Sequence, residues 1–364
     1  MLLDNIENPS PQSKHSRSVK LWLITGLVML FMQVVIGGVT RLTGSGLSIT
    51  KWDIVMGTLP PLNAAQWNEA FDLYKQTPQF HKLNFDMDLG EFKYIFFWEY
   101  FHRLWARSMG LVFLLPFLWF WARGQLSRQL VRRLGGVVLL AALVAVFGWI
   151  MVASGLVNRP WVNAYKLSIH LSLALLTYAY LLWTTFEVFD PSSTGHEGSA
   201  FFRKWGIRIS VLLGVQIFVG GIMSGMKAGL YFPTWPDMNG EIVPGIVFNI
   251  SEWNVDNFVH YDSGRFAPAL VQTIHRFIAY ILAIIVLWYF YKIKKNYTKG
   301  QLVTASGMLV TMLIIQVTLG IVTVIKCGGQ VPVLWGVLHQ AGAILLLTAA
   351  LYNNFVQRRA LANA

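Results

Sequence analysis

Apolar residues fall into eight long runs separated by polar stretches, near 19–42, 93–122, 134–157, 162–187, 205–226, 268–292, 302–325 and 332–355. A helix rising 1.5 Å per residue needs about 20 apolar residues to cross about 30 Å of hydrocarbon, so each run predicts a transmembrane helix. The expected fold class is an all-α integral membrane protein of eight transmembrane helices. Composition agrees: 55% of the 364 residues are apolar and only 13% charged, a balance foreign to soluble domains. The first eighteen residues contain Asp4 and Glu7 and no apolar core, unlike a signal or transit peptide.

Charge sets the orientation. The net charge of +12 could point to nucleic acid, but the basic residues lie between the apolar runs rather than in one patch, which suits membrane topology and no nucleic-acid partner. Lys14 and Arg17, Arg123, Arg128, Arg132 and Arg133, Arg203 and Lys204, Lys292, Lys294, Lys295 and Lys299, and Arg358 and Arg359 fall on one side if every run crosses. The excess of Lys and Arg on cytoplasmic loops then puts both termini in the cytoplasm. Loops 43–92 and 227–267 face outward and are long enough to be folded caps. A lone cysteine, Cys327, leaves no intrachain disulfide.

The chain repeats itself. QVVIGG (33–38) returns as QIFVGG (216–221), His102-Arg103 returns as His275-Arg276, and KLSIHLSLALL (166–176) corresponds to GVLHQAGAILL (336–346), with His170 matched to His339. The offsets are 183, 173 and 169 residues. Each half crosses an even number of times, so the halves share one orientation, as parallel repeats do. The expected organisation is a cytoplasmic tail (1–18), a four-helix half (19–190), a cytoplasmic linker (191–204), a second, pseudo-symmetric four-helix half (205–355) and a tail (356–364).

Four of the eight histidines, His15, His81, His196 and His260, lie in tails or loops; the other four occupy two equivalent positions in each half. Each of these four lies about 10 to 14 Å from the outward end of its run. A single membrane histidine can be a packing residue bonded to a neighbouring helix, but four at matched depth point to function, because ionisable groups are costly in the bilayer. Two imidazoles facing each other across a bundle suit a haem iron, which takes one axial nitrogen from each side. His102 with His170 and His275 with His339 therefore define two haem-sized sites. Gly37, Gly38, Gly220, Gly221 and Gly320 would let a flat ligand, or equally another helix, approach closely. Zinc needs three or four converging ligands, and a di-iron bundle needs a second Glu-x-x-His that the helices lack.

The halves differ at one position. Glu99 stands three residues before His102, whereas Gln272 stands three before His275. Residues three apart share a helix face, so Glu99 is expected to face the porphyrin pocket and to exchange protons there, which an amide cannot do. The competing reading is a plain ion pair with Arg103 one turn on. Arg103 and Arg276 could contact haem propionates or could snorkel to the interface.

GGVTRLTGSGLSITKWDIVMGTLPPLN (37–63), EFKYIFFWEYFHRLWAR (91–107), AGLYFPTWPDMNG (228–240) and the HR and LHQ histidines resemble the haem A synthase family over about residues 20–355. The resemblance implies an oxidoreductase that converts the C8 methyl group of haem O to a formyl group by successive hydroxylations, for cytochrome oxidase assembly. It implies that His275 and His339 hold a haem B cofactor through its iron. It further implies that His102 and His170 hold the iron of the substrate haem, and that Glu99 is catalytic. Haem O, haem O synthase, cytochrome oxidase assembly components and membrane lipid are the implied partners, and a bacterial inner membrane the implied location. Some members carry cysteine pairs in the outward loops; this chain has none there. Two other readings stay open: a di-haem electron carrier of the cytochrome b type, which would need no Glu99 chemistry, and a two-repeat transporter, which would need no haem.

Overall fold

The computed structural model describes residues 15–50, 59–157, 159–189 and 199–362, with side chains as far as Arg358. Lys14, the Arg359 side chain, most of the expected N-terminal tail and most of the 191–204 linker lie outside the described residues. In chain order the helices are α1 (Arg17–Leu42), α2 (Ala64–Lys75), α3 (Pro78–Leu83), α4 (Leu89–Ala122), α5 (Arg128–Ala153) and α6 (Ala164–Phe189), followed by α7 (Ala200–Gly225), α8 (Ala228–Tyr231), α9 (Val255–Val259), α10 (Phe266–Asn296), α11 (Gln301–Ile325) and α12 (Val333–Ala362). Among them α1, α4, α5, α6, α7, α10, α11 and α12 are long and apolar enough to cross a membrane. No strand occurs among the described residues.

Helix ends follow capping chemistry rather than hydropathy. Ser127 accepts from the Leu130 N–H, so α5 starts at Arg128, six residues before its apolar run. Asp88 and Glu91 form a reciprocal capping box that starts α4 at Leu89. Ser16 and Ser199 open α1 and α7 in the same way. The basic turns at the start of α5 and the end of α12 are therefore helical although they are too polar for the bilayer interior.

Helix α1 packs on α4 and α6, and α5 packs on α6; α7 packs on α10 and α12, and α12 on α11. The N-terminal and C-terminal sets meet along α6 with α7 and along α1 with α12. Small residues make the first of these seams close. A Cβ on Gly225 would stand 2.6 Å from the Ala164 Cα, and one on Gly221 2.8 Å from Ser168 Oγ. Ser168 Oγ also donates to the Phe218 carbonyl at 2.6 Å. Along the second seam, Gln340 Nε2 donates to the Val34 carbonyl at 2.7 Å and lies against Gly38.

One seam is loose. Helix α4 barely touches α5, whereas α10 packs along α11. In the membrane-crossing windows 11% of α4 and 6% of α5 is buried, against 22% of α10 and 17% of α11. The N-terminal set is thus the more open one.

Both ends are tied down. At one end Glu187 of α6 pairs with Arg133 of α5 at 2.6 Å and Arg358 of α12 at 2.5 Å. At the other, α2 and the start of α4 bury Phe71, Tyr74, Phe92, Ile95 and Phe96 in a small aromatic core. There too Trp161 donates to Asp262 at 2.9 Å, and the Ala164 N–H donates to the Tyr261 hydroxyl at 2.8 Å. Loops 43–92 and 227–267 are folded over their described parts, each carrying short helices.

Candidate functional site

Each of the four helix histidines leans on a glycine of a neighbouring helix. A Cβ on Gly37 would lie 3.0 Å from His102 Nε2. On Gly148, Gly220 and Gly320 it would lie 2.9 Å from Cε1 of His170, His275 and His339 respectively. Real Cβ contacts are essentially never this short, so the rings occupy the space that any other residue would fill. Gly38 and Gly221 differ: they face Gln340 and Ser168 across the seams between the sets, and serve helix packing.

Three histidines also meet a glutamine one helical turn from the glycine. Gln33 Nε2 lies 2.8 Å from His102 Nε2. Gln216 Nε2 donates to the His275 carbonyl at 3.0 Å and lies 3.3 Å from its Nε2. Gln316 Nε2 donates to the His339 carbonyl at 3.0 Å and lies 3.2 Å from its Nδ1. The fourth, His170, places Nδ1 3.0 Å from the Val144 carbonyl, four residues before Gly148. Where the amide N–H donates to the ring, the nitrogen it faces must be the unprotonated one of a neutral imidazole.

The sequence carried this device openly as Gln33-x-x-x-Gly37, Gln216-x-x-x-Gly220 and Gln316-x-x-x-Gly320. The glutamines escape a sequence reading because a lone Gln in an apolar run has no chemistry of its own. Only the neighbouring helix shows what it serves.

His102 lies within electrostatic range of His170, and His275 of His339. The residues fit a flat macrocycle. Glycines stand against all four rings, so the walls leave room for a planar group to approach closely. Among the described residues no three His, Cys, Asp or Glu side chains gather as a metal-ion site.

Glu99 is buried, with 2% of its surface exposed. Its Oε1 pairs with Arg103 at 2.6 Å, while Oε2 accepts from Ser48 Oγ and the Ile49 N–H, both at 2.8 Å. Arg103 reaches on to the Ile49 carbonyl at 3.0 Å. The ion pair with Arg103 weighed as the competing reading is therefore present, and it is joined by two loop donors that the sequence did not reveal.

The second set repeats the plan with opposite polarity. Gln272, fully buried, donates to the Phe232 carbonyl at 2.8 Å. Arg276 donates to the carbonyls of Thr234 (2.6 Å), Asp237 (2.7 Å) and Pro236 (3.2 Å). In each set the residue three before the histidine and the arginine after it clasp a loop. Asp237 reinforces its loop: the Thr234 hydroxyl at 2.6 Å, then the Gly240 N–H, hold its carboxyl below the usual range.

Comparison with known proteins agrees with this geometry. Residues 20–351 match the family model described as cytochrome oxidase assembly protein, COX15-CtaA. A protein named heme A synthase from Nitrosospira multiformis is 40% identical over 345 residues, covering 94% of each chain. One of the same name from Sinorhizobium medicae is 38% identical over 338 residues, 93% of this chain and 89% of its own. Another from Flavobacterium johnsoniae is 37% identical over 342 residues, 93% and 97% respectively. With residues 20–351 of its 364 matched by that model and these relatives 37–40% identical over more than nine-tenths of its length, the chain belongs to the COX15-CtaA family of cytochrome oxidase assembly proteins.

Proposed function

We propose that this multi-pass membrane protein is a haem A synthase, an oxidoreductase that converts the C8 methyl group of haem O to a formyl group by successive hydroxylations. The observation that carries the reading is a histidine pair set twice against glycines, three of the four rings also meeting a glutamine, with a carboxylate three residues before the histidine in only one copy. His275 and His339 would hold the iron of a haem B cofactor, and His102 and His170 that of haem O. Haem B, when bound, supplies one-electron chemistry. The loose α4–α5 seam supports this division, since a substrate must enter and leave where a cofactor stays.

The chain's own residues do the rest. Gly37, Gly148, Gly220 and Gly320 leave room for the rings. Arg103, Ser48 and Ile49 fix the Glu99 carboxylate in one orientation, and Glu99 takes or gives the proton that oxidation at the ring's edge requires. Gln272 fills the same position without a titratable group, which suits a site that only transfers electrons. Haem O synthase upstream and cytochrome oxidase assembly components downstream are the partners this chemistry implies, in a bacterial cytoplasmic membrane with both termini inside.

The test is Glu99→Gln in purified protein, followed by extraction and identification of the haems. Haem content should stay near wild type while haem A disappears. Unchanged haem A would remove Glu99 from the reaction, and wild-type protein unable to convert haem O would leave a di-haem electron carrier.

A further inference from the structure

Near His170, the ends of α5 and α6 that meet at residues 153–164 border an open cavity of about 490 Å³ lined by Trp149, Ile150, Ala153, Lys166 and Arg159 among others. Lys166 makes no ion pair with any described residue and is only partly exposed. Arg159 is committed on two of its nitrogens, to Asp262 at 3.3 Å and to the Val259 carbonyl at 2.6 Å, while its Nη1 is buried without a partner. Lys166 and Arg159 thus both line one cavity, with no carboxylate among its lining residues.

Resting on the haem reading above, we propose that this cavity is the carboxylate-binding end of the N-terminal porphyrin site, where Lys166 and Arg159 take a propionate of the substrate tetrapyrrole. Lys166 precedes His170 by one helical turn on the same face of α6, about 6 Å along the axis. A ring ligated at His170 carries its carboxylates outward over a comparable distance. The wall is continuous: Gly148 touches His170, and Trp149 and Ile150, the next residues, line the cavity. Arg103, one of the two cations the sequence offered for this work, is engaged by Glu99 and the Ile49 carbonyl. A lysine ammonium can meet a carboxylate as a point charge, and a neighbouring guanidinium strengthens the pairing.

The test uses full-length protein titrated with haem O and with haem O whose propionates are methyl esters, read by Soret absorbance at the second equivalent bound. In wild type, esterification should weaken binding about tenfold, the scale of one charge-assisted hydrogen bond. Lys166→Ala should weaken binding of the free acid by a similar factor and of the ester hardly at all, and Lys166→Arg should restore discrimination. Should Lys166→Ala fold poorly, Lys166→Gln serves in its place. Equal loss for acid and ester, or no loss, overturns the proposal. So does unchanged haem O affinity accompanied by loss of co-purifying phospholipid phosphate, which would make the cavity a headgroup site. Wild type that binds neither form would instead overturn the haem reading itself.

Discussion

At Gly220 a single methyl group would stand 2.9 Å from the His275 ring, and the helix backbone carrying it has no freedom to withdraw. On the haem reading, Gly220→Ala should therefore displace the imidazole and abolish the two-histidine absorption that reading assigns to the C-terminal site. Gly214→Ala, on the same helix with nothing within 4 Å, should leave the spectrum unchanged. Ser48→Ala tests a different residue. Removing its 2.8 Å hydrogen bond to a buried carboxylate should cost about 1–3 kcal/mol. It should also lower the rate of haem A formation while leaving haem content intact, because Ile49 and Arg103 still hold Glu99. The histidines and Glu99 were legible in the sequence because intramembrane polar residues are rare enough to stand out. Ser48 and Ile49 were not, since a loop serine and a backbone N–H acquire meaning only when the loop folds back on α4.

At the scale of helices, the α6–α7 seam is the most sensitive contact. Gly225→Ala sets a methyl against Ala164 backbone at 2.6 Å, and overpacking of this kind costs about 1–3 kcal/mol. The expected outcome is a lower unfolding temperature in detergent with both haem signals lost together, because the seam joins the two sets. The 234–240 turn offers a pH test. Asp237 has its carboxyl held below the ordinary range, so its stabilisation is complete above that range and is lost as pH falls through the lowered value. Pepsin should cut this turn only at the acid end of its range in wild type, and at every pH tested in Asp237→Asn. Hydropathy located all eight long helices because crossing hydrocarbon leaves a composition that nothing else explains. It misjudged the starts of α4 and α5, where Asp88 and Ser127 begin a helix in polar sequence outside the apolar run.

For the molecule as a whole, the orientation rests on lysine and arginine placement, and single cysteines can test it. Lys299→Cys and Ile250→Cys, both exposed, should react with impermeant maleimide from opposite sides of the membrane, Lys299→Cys from the cytoplasm. Native Cys327 adds little background: it is buried, its Sγ donates to the Thr323 carbonyl, and burial raises the thiol's pKa. Labelling of both positions from one side would break the eight-crossing topology. The repeat was visible in sequence because its histidines and glycine pairs survive in register. What the repeat could not convey is how the copies dock, since that depends on side chains such as Gln340 and Ser168 that have no equivalent in the other half.

Gln340 has the widest reach. It follows His339 in the chain and donates to Val34, and Val34 follows Gln33, whose amide rests on His102. On the haem reading proposed above, one peptide link at each end and a single 2.7 Å bond between them thus join the supports of the two sites. Filling one pocket is then expected to shift the absorption of its neighbour, and any coupling of the two affinities runs equally in both directions.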